Sequence, residues 1–490
     1  MGNNMANKYC ILDKANLENQ YGEGTEIRSP FGLGIPLFEA EDKTLEEIYY
    51  YRWHVFMRHI KETPAGYIIS EFLPDVPWAG IYNSISCAGG HHIYEGRWLH
   101  EQKFLRDYAA FWFTEGAEPR RYSFWIADAV YAACKVWGDF SLAEKLYENL
   151  KGNTAAWEST HQRDCGLFYQ TDNRDGMEYS VGGPGLRPTI NSYLFAEYRA
   201  LSKIATRLGK TEEEKFYREK MENLKKLVDE KLWDPEAEFY KTLAERRDYT
   251  LADVREEVGY VPWYFHLPDD DEKAVAWKFL MDEKYFAAPY GPTTAEQNHP
   301  DFMKEFDHEC LWNGPSWPYA TTQTLVAMAN LLTDYHQDYV SKSDYYALLH
   351  QYASCHYLTE NGKTRPFVDE NLDPFTGEWL ARKILKSIRP LRNDVDRGQH
   401  YNHSGFCDLV LGGLMGIRPR DEEKVEIDPV FDEKNLAYAC ADGVKYHDHF
   451  ITVLWDREGT RYGKGKGLFV FADGKCVKHT ENLEKIEINF

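Results

Sequence analysis

The chain is short of positive charge. Its 490 residues carry 57 Lys and Arg against 79 Asp and Glu, a formal net charge of −22 at pH 7. Phosphate contacts need clustered cations, so nucleic acid is not expected as a partner, and the brief run RYGKGKG from residue 461 reads as a turn. Long apolar stretches are missing as well. No run approaches the ~20 residues of a membrane span, and the N-terminal MGNNMANKYCILDKANLENQ lacks the apolar centre of a signal peptide. The sequence therefore predicts a cytoplasmic protein with no membrane partner. Nine cysteines stand singly, without a CxxC pair, which excludes a disulfide framework and predicts reduced thiols. There is no GxxxxGK[ST], no GxGxxG after a strand and no HExxH, so neither a nucleotide cofactor nor a metal is expected. The sequence leaves the oligomeric state open.

Aromatic residues, by contrast, are abundant: 34 Tyr, 26 Phe and 14 Trp make 15% of the chain. Each Tyr and Trp has a polar tip that wants a partner, and clefts that hold sugars use such amphipathic plates readily. Length alone suggests two to four ordinary domains or one large closed architecture. Apolar residues recur at three- and four-residue spacing over 44–60, 95–113, 122–138, 141–161, 189–209, 211–233, 273–283, 317–332 and 342–357, which predicts nine helices. Ser141 and Thr211 suit helix starts, and Gly138 and Gly209 suit stops. Connectors of up to about thirty residues, rich in Gly, Pro, Trp and Asp, separate many of these helices, and connectors of that length usually carry function. The rhythm predicts a mainly α chain: a lead-in segment over 1–40, an (α/α)6 toroid of helical hairpins over 41–420 with its long loops at one end, and a small β-rich domain over 421–490. That last part alternates with period two, and its Asp-Gly pairs at 442–443 and 473–474 predict hairpins.

Six loops carry the chemistry-bearing residues. In WNGPSWPYATTQT (312–324), Ser316 reads as a helix cap and Pro318 as a first-turn residue, so Trp312 and Trp317 are held rigidly at a helix start beside Asn313. That pair reads either as the wall of a ligand cleft or as an apolar plug. In TDNRDGMEYSVGG (171–183), Asp172, Asp175 and Glu178 crowd together among glycines, followed by Arg187. Carboxylates brought this close suit a general acid, with calcium ligation and a solvated turn as alternatives. RPFVDENLDPFTGEW (365–379) places Asp369 and Glu370 before an ordered bend and supplies a second carboxylate. Two more stretches read as cleft walls for sugar hydroxyls: 72–98, with Trp78, Tyr82, Asn83, His91, His92 and Glu95, and 394–406, with Arg397, His400, Tyr401, Asn402 and His403. Glu296 and Gln297, in the loop 289–300, read as substrate contacts or plain loop surface.

WNGPSWPYATTQTLVAMANLL, RDGMEYSVGG with RPTINSYLFAEYRALSKIA, and DENLDPFTGEW together resemble the six-hairpin glycoside hydrolases, a group that includes trehalase, processing α-glucosidase I and mannosylglycerate hydrolase. The resemblance runs over most of 45–420. It implies an inverting, exo-acting hydrolase of a small α-linked glycoside with Glu370 as general base. The acid falls on Glu178, where the family has Asp, with Asp175 as the competing position. It also implies that Trp312 and Trp317 wall the subsite and that Arg187, Asn313 and His403 contact hydroxyls. A His-based sugar epimerase on the same toroid and a non-catalytic carbohydrate-binding protein remain alternatives.

Overall fold

Six segments that are buried on nearly every side make the inner wall of this protein. A computed structural model describes residues 9–22, 29–269, 271–388, 395–421 and 423–490. The inner segments are Gly89–Gly96, Ile126–Trp137, Pro188–Arg207, Glu257–Tyr260 running on into Val261–Tyr264, Pro318–Asp334, and Phe406–Asp408 running on into a π-helical turn at Leu409–Leu414. Each packs on the next, and the last packs back on the first, closing the ring. Each is preceded in the chain by an outer helix: Lys43–His59, Lys103–Phe111, Ser141–His161, Thr211–Lys231, the 3-10 segment Glu272–Phe279, and Lys342–Ser354. Thr211–Lys231, for example, buries only Tyr217, Leu224 and Val228, as a surface helix should. Six outer–inner hairpins in a closed ring are an (α/α)6 toroid.

The sequence-predicted helix 95–113 is two helices. The intervening chain is diverted because Arg97 and the Trp98 indole N–H both bond the buried Asp408 carboxylate, at 2.8 and 2.6 Å. Ser141 and Thr211 are the first residues of their helices, not the caps, which are Phe140 and Lys210. Gly138 and Gly209 do end theirs in the left-handed region, with φ of 69° and 67°, where a side chain would be strained. The aromatic surplus is spent mainly on the core: Trp53, Trp98, Trp112, Trp125, Trp157, Trp263, Trp277 and Trp455 are all fully buried.

The C-terminal part is antiparallel. Strands Tyr438–Tyr446, His449–Asp456, Gly467–Ala472 and Lys475–Thr480 form a meander, and Leu37–Ala40, from the predicted lead-in, adds the fifth strand beside Tyr438–Tyr446. Asp473-Gly474 makes the last hairpin turn, with positive φ at both residues. Asp442-Gly443 does not turn the chain. It sits inside a strand at a shift of register, where the Asp442 carboxylate accepts from the Ile11 and Leu12 amides at 2.6 and 2.7 Å and ties the N-terminal segment to the sheet. Residues 1–8 and 23–28 of the lead-in and Asp394 of the predicted wall stretch lie outside the described residues. Among the described residues no helix is long and apolar enough to cross a membrane.

Candidate active site

Because the six inner segments follow their outer partners in the same sense, the loops that lead into them gather at one mouth of the ring. Short backbone ladders stitch these loops together. The Trp312 amide donates to the Glu178 carbonyl at 3.0 Å, and Ser316 and Leu372 exchange two bonds at 3.0 and 2.8 Å. The Asn371 side chain donates to the Glu309 carbonyl at 3.1 Å. Ser316 thus spends its backbone on the neighbouring loop, and Trp317 is the residue that caps Pro318–Asp334, without a side-chain bond.

Between these loops lies a pocket of about 240 Å³. Eight of the residues singled out from the sequence reach its wall: Glu178, Glu370, Trp312, Trp317, Trp78, Arg397, Tyr401 and His403. Trp312 and Trp317 stack with ring centres 4.6 Å apart, and the Trp317 indole is pinned by the Leu311 carbonyl at 2.8 Å. Glu370 is held on both oxygens. Arg397 Nε stands 3.4 Å from Oε1, and the Cys310 thiol donates to Oε2 at 3.0 Å. Burial and the Glu370 charge keep that thiol well above its ordinary range, so it retains its proton. Arg397 also pairs with Glu309 and lies over the Trp78 ring at 4.7 Å. Burial raises the Glu309 carboxyl, but Arg397 outweighs it and holds the group below its usual range.

Glu178 is in the opposite condition. Burial pushes its carboxyl up to about 8, and Glu370, Asp172 and Glu309 push the same way against its own backbone N–H. One pocket therefore holds a carboxyl that keeps its proton near neutrality beside a second carboxylate braced by a guanidinium, which is the pairing that acid/base chemistry requires.

The other residues singled out lie off the pocket wall. Asp175 and Arg187 form a fully buried ion pair at 2.6 Å, completed by Ser123 at 2.5 Å and by Thr189. Arg187 has its remaining donors on Ser180 and the Gly183 carbonyl. Asp175 thus finds its partners on neighbouring segments, and Arg187 is committed to shaping the Glu178 loop. Asn313 staples the Asp301 and Lys304 carbonyls, and Asn83 the Phe72 and Pro74 carbonyls. Tyr82 is exposed at a positive φ of 57°. His91 is packed between Trp125 and Tyr319, and His92 bonds Tyr108 and the Asn402 carbonyl. Glu95 pairs with Arg52 at 3.0 Å, Glu296 with Arg255 at 2.8 Å, and Gln297 donates to the Ala287 carbonyl at 2.7 Å. Most of these polar groups are engaged by the backbone or by a neighbouring side chain, His91 Nε2 is buried with no hydrogen-bond partner among the described residues, and none of the group lines the pocket.

Sequence reading missed Glu71, Phe72, Ile85, Cys87, Tyr122, His308, Glu309, Cys310 and Tyr319, all on the same wall. Glu309 and Cys310 sit only a few residues before Trp312, and that proximity was the available signal. Among the described residues no group of three or more His, Cys, Asp or Glu is arranged to hold a metal ion.

The buried pair gives a direct test of its role. Arg187→Met strands Asp175 in a dry site, and breaking a buried pair in this way costs about 3–5 kcal/mol. A large drop in the urea midpoint is expected. Unchanged stability together with weakened sugar binding would instead return Arg187 to the ligand.

Comparison with known proteins agrees with this geometry. The family described as "Mannosylglycerate hydrolase MGH1-like glycoside hydrolase domain" matches residues 81–404. A solved structure titled "Sialidase" superposes with a TM-score of 0.90 at 38% identity over 97% of this chain, which spans 44% of the length of that protein. The GH63 mannosylglycerate hydrolase from Thermus thermophilus, solved in complex with glucose, superposes with a TM-score of 0.52 at 13% identity, covering 74% of this chain and 98% of its own. A GH78 family rhamnosidase of a Bacillus species gives 0.53 at 12% identity, covering 88% of this chain and 41% of its own. At such identities the last two show a shared fold alone.

Proposed function

The chain belongs to the MGH1-like mannosylglycerate hydrolase family of glycoside hydrolases, and from that premise we propose that it is an inverting, exo-acting glycosidase that cleaves a small, neutral, α-linked glycoside. One observation carries the reading: Glu178 and Glu370, distant in sequence, line the same pocket, with the Glu178 carboxyl held up to about 8. In this reading Glu178 protonates the departing oxygen while Glu370 takes a proton from the water that attacks the opposite face of the ring. Asp175 acts through Arg187 on the shape of the acid loop and does not touch substrate.

Pocket size supports exo action. At about 240 Å³ the pocket falls below the ~300–1,000 Å³ that receives drug-sized ligands, so one sugar ring fills it and the rest of the substrate leaves through the mouth. Pocket charge supports a neutral ring of the glucose or mannose type. Glu71, Glu178, Glu309 and Glu370 share the wall with one guanidinium, Arg397, already engaged by Glu309 and Glu370. Among the described residues, a carboxylate-bearing sugar would find no free cation there. The name sialidase belongs to a protein more than twice as long as this chain.

A His-based epimerase has less support. His91, His92 and His400 lie off the wall, and burial holds His403 well below its ordinary range, which leaves it neutral and unable to serve as an acid. Proton NMR of the first sugar released from α-linked glucosides and mannosides tests the proposal. The β-anomer should appear first, the α-anomer appearing first would refute inversion, and no release from any of the panel would refute hydrolysis of this substrate class.

A further inference from the structure

Immediately after the strand Gly66–Ile69 the chain places a further carboxyl on the pocket wall, one that acid/base hydrolysis leaves unused. Glu71 is 4% exposed. Its backbone carbonyl accepts from the Asn402 amide at 3.1 Å, and its Oε1 accepts from the Tyr401 hydroxyl at 2.8 Å. Tyr401 is in turn wedged edge-on between His403 and Phe72, with ring centres 3.6 and 4.7 Å away. The carboxyl is thus fixed in direction, and among the described residues no hydrogen-bond partner reaches its second oxygen, Oε2. Beside it, His403 Nδ1 stands 3.9 Å from Oε1, while His403 Nε2 is buried with no hydrogen-bond partner among the described residues. A buried polar atom left unsatisfied is costly, and on a pocket wall a ligand group is the natural partner.

Resting on the reading that the pocket holds a sugar ring, we propose that Glu71 and His403 are a specificity pair that grips one hydroxyl of that ring, Glu71 Oε2 donating to its oxygen and its proton donating to His403 Nε2. Protonation states agree. Burial first, and then the Glu370 and Glu178 charges, push the Glu71 carboxyl up to about 8 against the Tyr401 bond, so it carries a proton to donate. His403, kept neutral by burial, has a ring nitrogen free to accept. A group that must both accept and donate selects a hydroxyl over hydrogen or fluorine at that carbon, because either replacement leaves a wall atom unpaired.

Calorimetric titration of the intact protein with D-glucose and D-mannose, and with the monodeoxy forms of the tighter binder, tests this. The wild type should lose roughly tenfold or more in affinity for one deoxy form, the scale of one lost buried hydrogen bond. Glu71→Ala should weaken the parent sugar by a similar factor, show no further loss on that deoxy form, and keep its discrimination at the other carbons. Glu71→Gln retains a donor of nearly the same shape and should stay within about threefold of wild type, which also guards against misfolding in the alanine variant. Should Glu71→Ala keep the wild-type penalty at every carbon, the pair is wrong while the sugar pocket stands. Should neither sugar bind the wild type, the pocket reading falls and takes the pair with it.

Discussion

Replacing Glu370 by Gln should lower kcat by about 10²–10⁴-fold, the range contributed by a positioned proton-transfer group, and by the same factor for every leaving group. The base acts on water, so its loss is indifferent to what departs from the sugar. Glutamine keeps the length of the side chain, and its one oxygen can still accept from Arg397, which stands 3.4 Å from Oε1, while its NH2 faces the Cys310 sulfur, 3.0 Å from Oε2. What it loses is basicity. Asp369 provides the control. Its Oδ1 accepts from the Glu370 amide at 2.8 Å, and burial, then the Glu370 charge, push its carboxyl up to about 7, yet it lies off the pocket wall. Asp369→Asn should therefore alter the aim of Glu370 without removing a proton acceptor, and cost far less. Initial rates on aryl glycosides with graded leaving groups decide the matter. A Glu370→Gln enzyme within tenfold of wild type, or one whose loss varies with the leaving group, would remove Glu370 from the role of base.

The ring was legible where helices are amphipathic, and obscure where neighbours override local preference. Gly89–Gly96 opens with two glycines and has poor intrinsic helicity, so local propensity offered no reason to place a helix there. The ring itself demands those glycines: a Cβ on Gly90 would lie 2.1 Å from the Trp125 indole, and one on Gly89 would lie 2.6 Å from Phe124. The π turn Leu409–Leu414 is equally silent in sequence, because it forms against neighbouring inner segments. Asp442-Gly443 misled for a related reason: its dipeptide chemistry suits a turn, but the two amides of a distant segment claim the aspartate and the strand runs on past a bulge.

Residues on the pocket wall divide in the same way. Trp312, Trp317, Glu178 and Glu370 sit in loops dense with Gly, Pro and Trp, and such loops announce themselves. Glu71 and Tyr401 come from loops at nearly opposite ends of the toroid sequence, and only closure of the ring brings them within a hydrogen bond of one another. The polar residues that proved to be staples, Asn83, Asn313, Glu95 and Glu296 among them, have the composition of ligand contacts. Burying a long loop creates orphaned backbone groups, and these side chains satisfy them or the cations beside them.

Glu178 should reveal itself by dependence on the leaving group. An acid is needed in proportion to the basicity of the departing oxygen, so Glu178→Gln should slow alkyl glycosides by about 10²–10⁴-fold and barely touch glycosyl fluorides, whose leaving group departs without a proton. The pH profile follows with a definite sign. With its carboxyl raised to about 8, Glu178 is protonated and active below that value, and the wild-type rate on alkyl glycosides should fall as pH rises through it. In Glu178→Gln that alkaline limb should vanish along with the rate. Glu71 is raised to about 8 in the same pocket, so the position of the limb alone does not identify the acid. Leaving-group dependence does, because a side chain that only grips a hydroxyl slows fluorides and alkyl glycosides alike. If Glu71→Gln, and not Glu178→Gln, spares the fluorides while abolishing alkyl turnover, the proton comes from the loop after Gly66–Ile69, and Glu178 becomes a neighbour whose charge is suppressed to let that acid work.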